Sequence, residues 1–226
     1  MKSAIGFIFL TVVVYQAMKR VYARFNTPLF SPIVTTASII VGVLLFLHLP
    51  YATYMEGGKW IGKLLGPAVV ALAFPLYNQR ETLMRLFIPI VQAVLAGVVM
   101  GIASGACLSL LFRVDKILLL SLLPKSVTSP VAMDIAKEIN GIPSLAVVYV
   151  MIAGIFGALF GPALLRTLKI TDPIGIGIAL GCASHGIGTA KALEIGKEEA
   201  AISSIAMTLS AVLAAFLCPL VVSVLL

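Results

Sequence analysis

The sequence predicts an all-α integral membrane protein, a helical bundle of two internal repeats with interrupted helices, broken or re-entrant, in each half. Three observations predict it. Apolar residues make up 61% of the 226 and charged residues only 11%, with a mean hydropathy of +1.12. A soluble domain carries roughly a quarter charged residues, so most of this chain's outer surface must face lipid. Uncharged stretches long enough for a bilayer core, about 20 helical residues, recur along the chain, and short apolar words recur between its halves.

The elements follow in order. Residues 3–18 read as a retained first helix rather than a leader: Lys2 precedes the run, but it ends in Gln16-Ala17-Met18-Lys19-Arg20, with no small-residue cleavage site. Residues 31–49, 86–112, 144–165 and 200–226 contain no Lys, Arg, Asp or Glu. With the first helix they make five ordinary spans.

Three further stretches are interrupted. Residues 64–79 hold Gly66-Pro67 and Pro75, residues 117–139 are cut by Pro124 and Pro130, and residues 174–190 carry Gly175, Gly177, Gly181, Gly186 and Gly188 around Ser184-His185. Proline removes a helix donor and glycine is the next poorest helix former. Such backbone stays at membrane depth only where protein or a water-filled cavity satisfies its freed polar groups. Discontinuous helices of this kind mark solute sites in secondary transporters.

The halves correspond. Ile61-Gly62 recurs as Ile176-Gly177, and Leu65-Gly66-Pro67-Ala68 as Leu180-Gly181-Cys182-Ala183, at one offset; Ala93-Val94-Leu95-Ala96 recurs as Ala211-Val212-Leu213-Ala214, a few residues further on. This predicts one transmembrane domain, residues 1–226, built of repeats 1–113 and 114–226 that join near Arg113-Val114-Asp115-Lys116. If each interrupted segment crosses fully, each half has four passes and the repeats are parallel. If it dips and returns, each half has three and the repeats are inverted. Full crossing puts Arg80 and Arg85 on one side and the loops at Arg113/Lys116 and Arg166 on the other, against the positive-inside tendency; that points to re-entrant segments.

Charge and motif spacing exclude other classes. The net charge is +7, but the Lys and Arg residues lie in short clusters between apolar runs, as helix ends beside anionic headgroups require; no nucleic-acid partner is expected. Cys107, Cys182 and Cys218 have no CxxC or His-spaced neighbour, so neither disulfide nor zinc is indicated. Two distant histidines, no paired intramembrane acids and no dinucleotide fingerprint argue against an enzyme, a metal or a cofactor.

Two constellations carry chemistry. In Lys125-Ser126-Val127-Thr128-Ser129-Pro130 an ammonium and three hydroxyls sit between half-helices, and Ser129 is placed to cap a helix starting at Pro130. Val131, Ala132, Ile135, Ala136 and Ile139 line one face of that helix, with Asp134, Lys137 and Glu138 opposite. One reading is a carboxylate site where Lys125, Ser126, Thr128 and Ser129 meet a helix N-terminus; the other is a polar surface loop. In Ser184-His185-Gly186-Ile187-Gly188-Thr189, a histidine in so apolar a run must be neutral or paired. Ser184, His185 and Thr189 then donate to a solute that Gly186 and Gly188 let approach, or the glycines form a packing seam around a satisfied core histidine. Lys191 and Glu194 read as a helix-surface pair. Asn78, with Gln79, either contributes an amide to the site or ends its segment at the interface. His48 and Trp60 read as interfacial.

At these motifs the chain resembles a known family. The segments 120–133 around Pro124-Lys125-Ser126-Val127-Thr128-Ser129-Pro130, 183–192 around Ser184-His185-Gly186-Ile187-Gly188-Thr189, and 65–77 from Leu65-Gly66-Pro67-Ala68 onward are similar to signatures of the LrgB/CidB family. The likeness covers essentially the whole chain. It implies a multi-pass protein of a bacterial plasma membrane, and two functions. Bacterial members are described as antiholin- or holin-like accessory proteins that modulate murein hydrolase export and autolysis beside a smaller LrgA/CidA-type membrane protein. A plastid relative resembles a glycolate/glycerate carrier, and bacterial pairs are linked to pyruvate movement. The expectation is a secondary transporter of small monocarboxylates working by alternating access, with the lysis-related role as alternative. The expected partners are a small carboxylate solute, an LrgA/CidA-type protein, the lipid bilayer and a second copy in a homo-oligomer, a dimer.

Overall fold

A computed structural model describes residues 2–25, 30, 32–64, 67, 70, 73–78 and 80–225, and every regular element among them is helical. Packing divides the chain into two compact units, Met1–Ala68 and Val69–Leu226.

The first unit holds α1 (Lys2–Phe25), α2 (Pro32–Phe46) and α3 (Tyr51–Gly62). α1 runs beyond the uncharged stretch, since Lys19, Arg20 and Arg24 are good helix formers that suit a helix end. α2 is shorter than residues 31–49 suggested: His48 takes φ 52°, Leu49 N–H donates back to Leu44 O at 2.9 Å, and Pro50 follows. Its 15 residues fall below ordinary spanning length. Gly57 lets α3 lie on α1, because a Cβ there would stand 2.5 Å from Ala4 O.

The second unit holds α4 (Ala73–Asn78), α5 (Arg80–Arg85), α6 (Phe87–Leu111), α7 (Lys116–Leu122), α8 (Ser129–Glu138), α9 (Pro143–Thr167), α10 (Pro173–Ile195) and α11 (Lys197–Leu225). Four stretches among the described residues are long and apolar enough to cross a membrane: Ala4–Phe25, Phe87–Leu111, Pro143–Thr167 and Lys197–Val224. The chain is thus an all-α, multi-span membrane bundle. Large apolar side chains such as Met100, Phe156, Phe160 and Phe216 point outward, the surface a bilayer requires. The core of this unit is the stripe Ile90, Val94, Val98 and Ile102 of α6, packed with Ile135 and Ala136 of α8 and with Ile202 and Ile205 of α11. α8 buries the predicted face, Val131, Ala132, Ile135, Ala136 and Ile139. Its N-cap, however, is Thr128 rather than Ser129, with no side-chain cap bond: the backbone turns helical one residue earlier than Pro130 suggested.

Two segments double back. After α8, Gly141 lies on α7, where a Cβ would stand 3.0 Å from Ser121 N, and Ile142 N–H donates to Ser121 Oγ at 2.8 Å. α10 reverses within itself. A straight helix would hold Ile176 and Lys191 about 22 Å apart at 1.5 Å per residue, yet both line one cavity. Ala192 packs on Leu180 and Leu165, and a Cβ at Gly188 would collide with Leu180 O. The reversal falls at His185, with φ 41° and ψ −130°, a conformation costing roughly 1–3 kcal/mol that its surroundings must offset.

Candidate functional site

The outgoing arm of α10, residues 173–184, is wedged among three helices, and glycines make each contact close. Gly177 and Gly181 bring it onto α11, where Cβ atoms would strike Ile202 and Ser203 O. Gly154, Gly157 and Gly161 of α9 make room for the His185 ring, Ser184 and Leu180. On the third side α6 presents Gly97, Gly101 and Gly105, facing Cys182, Ser126 and Lys125 in turn. Small residues at four-residue spacing let membrane helices approach closely. Here the α6 series does something further: it opens a cavity of about 430 Å³, lined by Gly97, Gly101, Ser126, Gly175, Cys182 and Ala183 among others.

The cavity lies where the two doubled-back segments meet α6. Ser126 comes from the turn between α7 and α8, which buried Pro124 and Val127 hold in place. Next to it, Lys125 Nζ donates to Gly101 O at 2.6 Å. No carboxylate lies within ion-pair distance of that ammonium among the described residues. Thr128 Oγ1 is buried and has no hydrogen-bond partner. On α10, Ser210 Oγ of α11 donates to the sulfur of Cys182 at 3.2 Å, fixing the thiol at the cavity wall.

His185 faces away from this cavity. It is 4% exposed, and its Nε2–H donates to Val150 O of α9 at 2.9 Å. A buried bond of this kind in a membrane protein contributes about 0.6–2 kcal/mol, enough to help hold the strained tip. Thr189 Oγ1 donates to His185 O at 3.0 Å and lies 2.9 Å from Ser203 Oγ, which then donates to it, since a hydroxyl has one proton. Ser184 is fully buried, its Oγ has no partner, and it lines a smaller cavity of about 230 Å³ on the α9 side with Gly157 and Phe160.

The predicted residues therefore separate. Ser126 lines the larger cavity and Lys125 adjoins it. Thr128 and Ser129 start α8 beside them. Ser184 and His185 turn to α9, Gly186 is exposed, Gly188 packs between the arms of α10, and Thr189 ties the returning arm to α11. Asn78 is exposed at the end of α4 and lines neither cavity. Gly66 and Gln79 lie outside the described residues. Lys191 and Glu194 pair at i,i+3. The α6 glycines and Cys182 were not singled out from sequence, although the four-residue spacing of Gly97, Gly101 and Gly105 is visible there. Among the described residues no three His, Cys, Asp or Glu come together as metal ligands.

Several apolar spans, two doubled-back segments and a cavity between them define a multi-pass membrane protein with internal polar groups. The comparisons identify which kind: the chain belongs to the LrgB-like family, whose model matches residues 11–224. It is 51% identical over 219 residues to the uncharacterized protein YxaC of Bacillus subtilis, covering 97% of this chain and 95% of that one. It is 36% identical over 220 residues to the holin-like protein CidB of Staphylococcus aureus and 35% to that of Staphylococcus epidermidis, each covering 97% of this chain and 96% of the relative. These relatives place it among multi-pass bacterial membrane proteins. No solved structure matches.

Proposed function

We propose that the chain is a secondary carrier for small monocarboxylates, pyruvate-, glycolate- or glycerate-like, with the 430 Å³ cavity as its solute site. One observation carries this reading: Lys125, held within the bundle on Gly101 O, has no carboxylate partner among the described residues. A cation at membrane depth requires a counter-charge and marks a functional site by default. A bound carboxylate supplies it, with Ser126 as further donor and Thr128 Oγ1 as an unused one.

In this reading both doubled-back segments are re-entrant hairpins entering from opposite faces. Residues 116–128 run back along α6 from its C-terminal end to Gly101, about 15 Å at helical rise. α10 enters at the far end of α9 and reaches Val150. Arg80, Arg85, Arg166, Lys169, Lys191 and Lys197 then share the α10 face, and Arg113, Lys116 and Lys137 the other; the former face is cytoplasmic by the positive-inside tendency, and the conflict that full crossing creates disappears. The repeats 1–113 and 114–226 fit this in part. An offset near 115 matches α2 with α9, residues 61–69 with the outgoing arm of α10, and α6 with α11; but it matches continuous α1 with the doubled-back pair α7–α8. Transport follows from movement of the hairpins against α6, α9 and α11, exposing Lys125 to each side in turn.

The printed names of relatives favour a second reading more than this one: a holin-like component that modulates murein hydrolase export and autolysis, working with an LrgA/CidA-type protein. The test that separates them is uptake of labelled pyruvate, glycolate and glycerate into proteoliposomes, with and without that partner. The carrier reading expects uptake that Lys125→Ala lowers about ten- to hundredfold, the worth of a charge-assisted hydrogen bond of 1.5–3 kcal/mol. No uptake of any of the three under either condition, together with altered autolysis in cells lacking the protein, selects the second reading.

A further inference from the structure

A third cavity, of about 330 Å³, lies at the base of α10, away from Lys125 and Ser126. Its walls join the end of α9 (Pro162, Leu165 and Arg166), Ile170 of the connection that follows, Ile176 of the outgoing arm of α10, and Lys191 and Ile195 of the returning arm. The surface is mostly apolar, with two cations at its edge. Lys191 is tied to Glu194. The Arg166 guanidinium has no ion-pair or hydrogen-bond partner among the described residues. Both stand at helix ends, where a membrane helix meets the headgroup layer.

We propose that this cavity binds the phosphate of an anionic phospholipid, with Arg166 as its principal ligand and Lys191 as its second. A guanidinium pairs with phosphate through two parallel N–H donors. The isoleucine, leucine and proline walls suit the first methylenes of an acyl chain and give nothing to a free, fully hydrated phosphate. Basic recesses between membrane helices on the cation-rich side recognise such headgroups. Because the ligand touches both arms of α10 and the end of α9, it closes the mouth of the fold-back. This rests on the membrane class of the chain and not on the carrier reading.

The test uses the purified full chain in neutral detergent, with phosphatidylglycerol or phosphatidylcholine titrated in and retention read by native mass spectrometry. Phosphatidylglycerol is retained in preference to phosphatidylcholine. Arg166→Gln lowers its retention about fivefold, the effect of one surface cation on an anionic lipid, while Arg166→Lys keeps most of it. Glu194→Gln, which frees Lys191, raises retention by a similar factor. Ten-millimolar-scale inorganic phosphate leaves retention unchanged; displacement of the lipid by phosphate alone would transfer the site to a soluble phosphate ligand and overturn the proposal. Equal retention of both lipids, or no response to either charge variant in protein that elutes as a folded peak, overturns it as well.

Discussion

Gly154 is where the seat of the α10 tip can be tested by a single methyl group. A Cβ there would stand 2.7 Å from His185 Cε1, 2.8 Å from Nε2 and 2.8 Å from Ile187 Cδ1. The imidazole has no free direction: it is 4% exposed and bonded to Val150 O. Gly154→Ala must either push α9 off α10 or turn the ring away from its carbonyl. Overpacking costs about 1–3 kcal/mol, and a buried ring N–H left unpaired about 1–3 kcal/mol. These overlap, so the expected loss is about 2–4 kcal/mol. Any gain in helix propensity, at most about 1 kcal/mol, is smaller. At roughly 2–4 °C per kcal/mol for a chain of this size, the apparent midpoint in detergent falls by about 5–15 °C, read by size-exclusion thermostability. Adding Gly154→Ala to His185→Ala should cost much less than adding it to the parent, because the ring supplies the two clashes that cannot yield, whereas Ile187 Cδ1 ends a flexible side chain that can turn aside. A Gly154→Ala protein as stable as the parent, or a double variant with strictly additive losses, would refute this seating of the tip.

Other consequences follow from the same geometry. Gly101→Ala places its methyl 3.5 Å from Ser126 Oγ, an ordinary contact, so stability should hold while uptake of monocarboxylates falls about tenfold, the low end for one unwelcome carbon in a binding pocket; proteoliposome flux beside a thermal scan checks both. Gly181→Val, in contrast, strikes the backbone oxygen of Ser203 and the Cβ of Ala206 and should cost stability outright, by more than about 3 kcal/mol on overpacking grounds, read as loss of the folded peak. In the proposed orientation the end of α11 lies outside the cytoplasm, so a C-terminal alkaline phosphatase fusion should be active and a C-terminal fluorescent protein dark; the reverse pattern inverts the orientation.

Much of this was legible in the residues, and the reasons for what was not are specific. Class and long spans follow from composition and uncharged run length, which the bilayer dictates. The break points at Pro124 and around His185 were visible as well, because proline and clustered glycine interrupt a helix in any setting. What composition could not say is whether residues 174–190 cross or return: a uniformly apolar segment has no polar face, so its periodicity carries no direction. For the same reason Ser126 and His185 looked alike in sequence, though one lines the cavity and the other is turned to α9. The α6 glycines escaped notice because an uncharged span reads as plain scaffold until something is seen packed against it. Ser129 was one residue out as a cap, since Thr128-Ser129-Pro130 offers two hydroxyls where the helix needs one start. α2 stopped early at His48, a left-handed residue that is not glycine and gives no compositional sign.

In the proposed carrier, water and solute reach Ser126 between two hairpins inside the membrane. In a variant free of native cysteines, Ser126→Cys should react with a membrane-impermeant thiol reagent in intact vesicles, and millimolar pyruvate or glycolate should slow the reaction severalfold. A Cys at that position that stays unlabelled until the protein is denatured, or that labels at a rate no monocarboxylate alters, would contradict it.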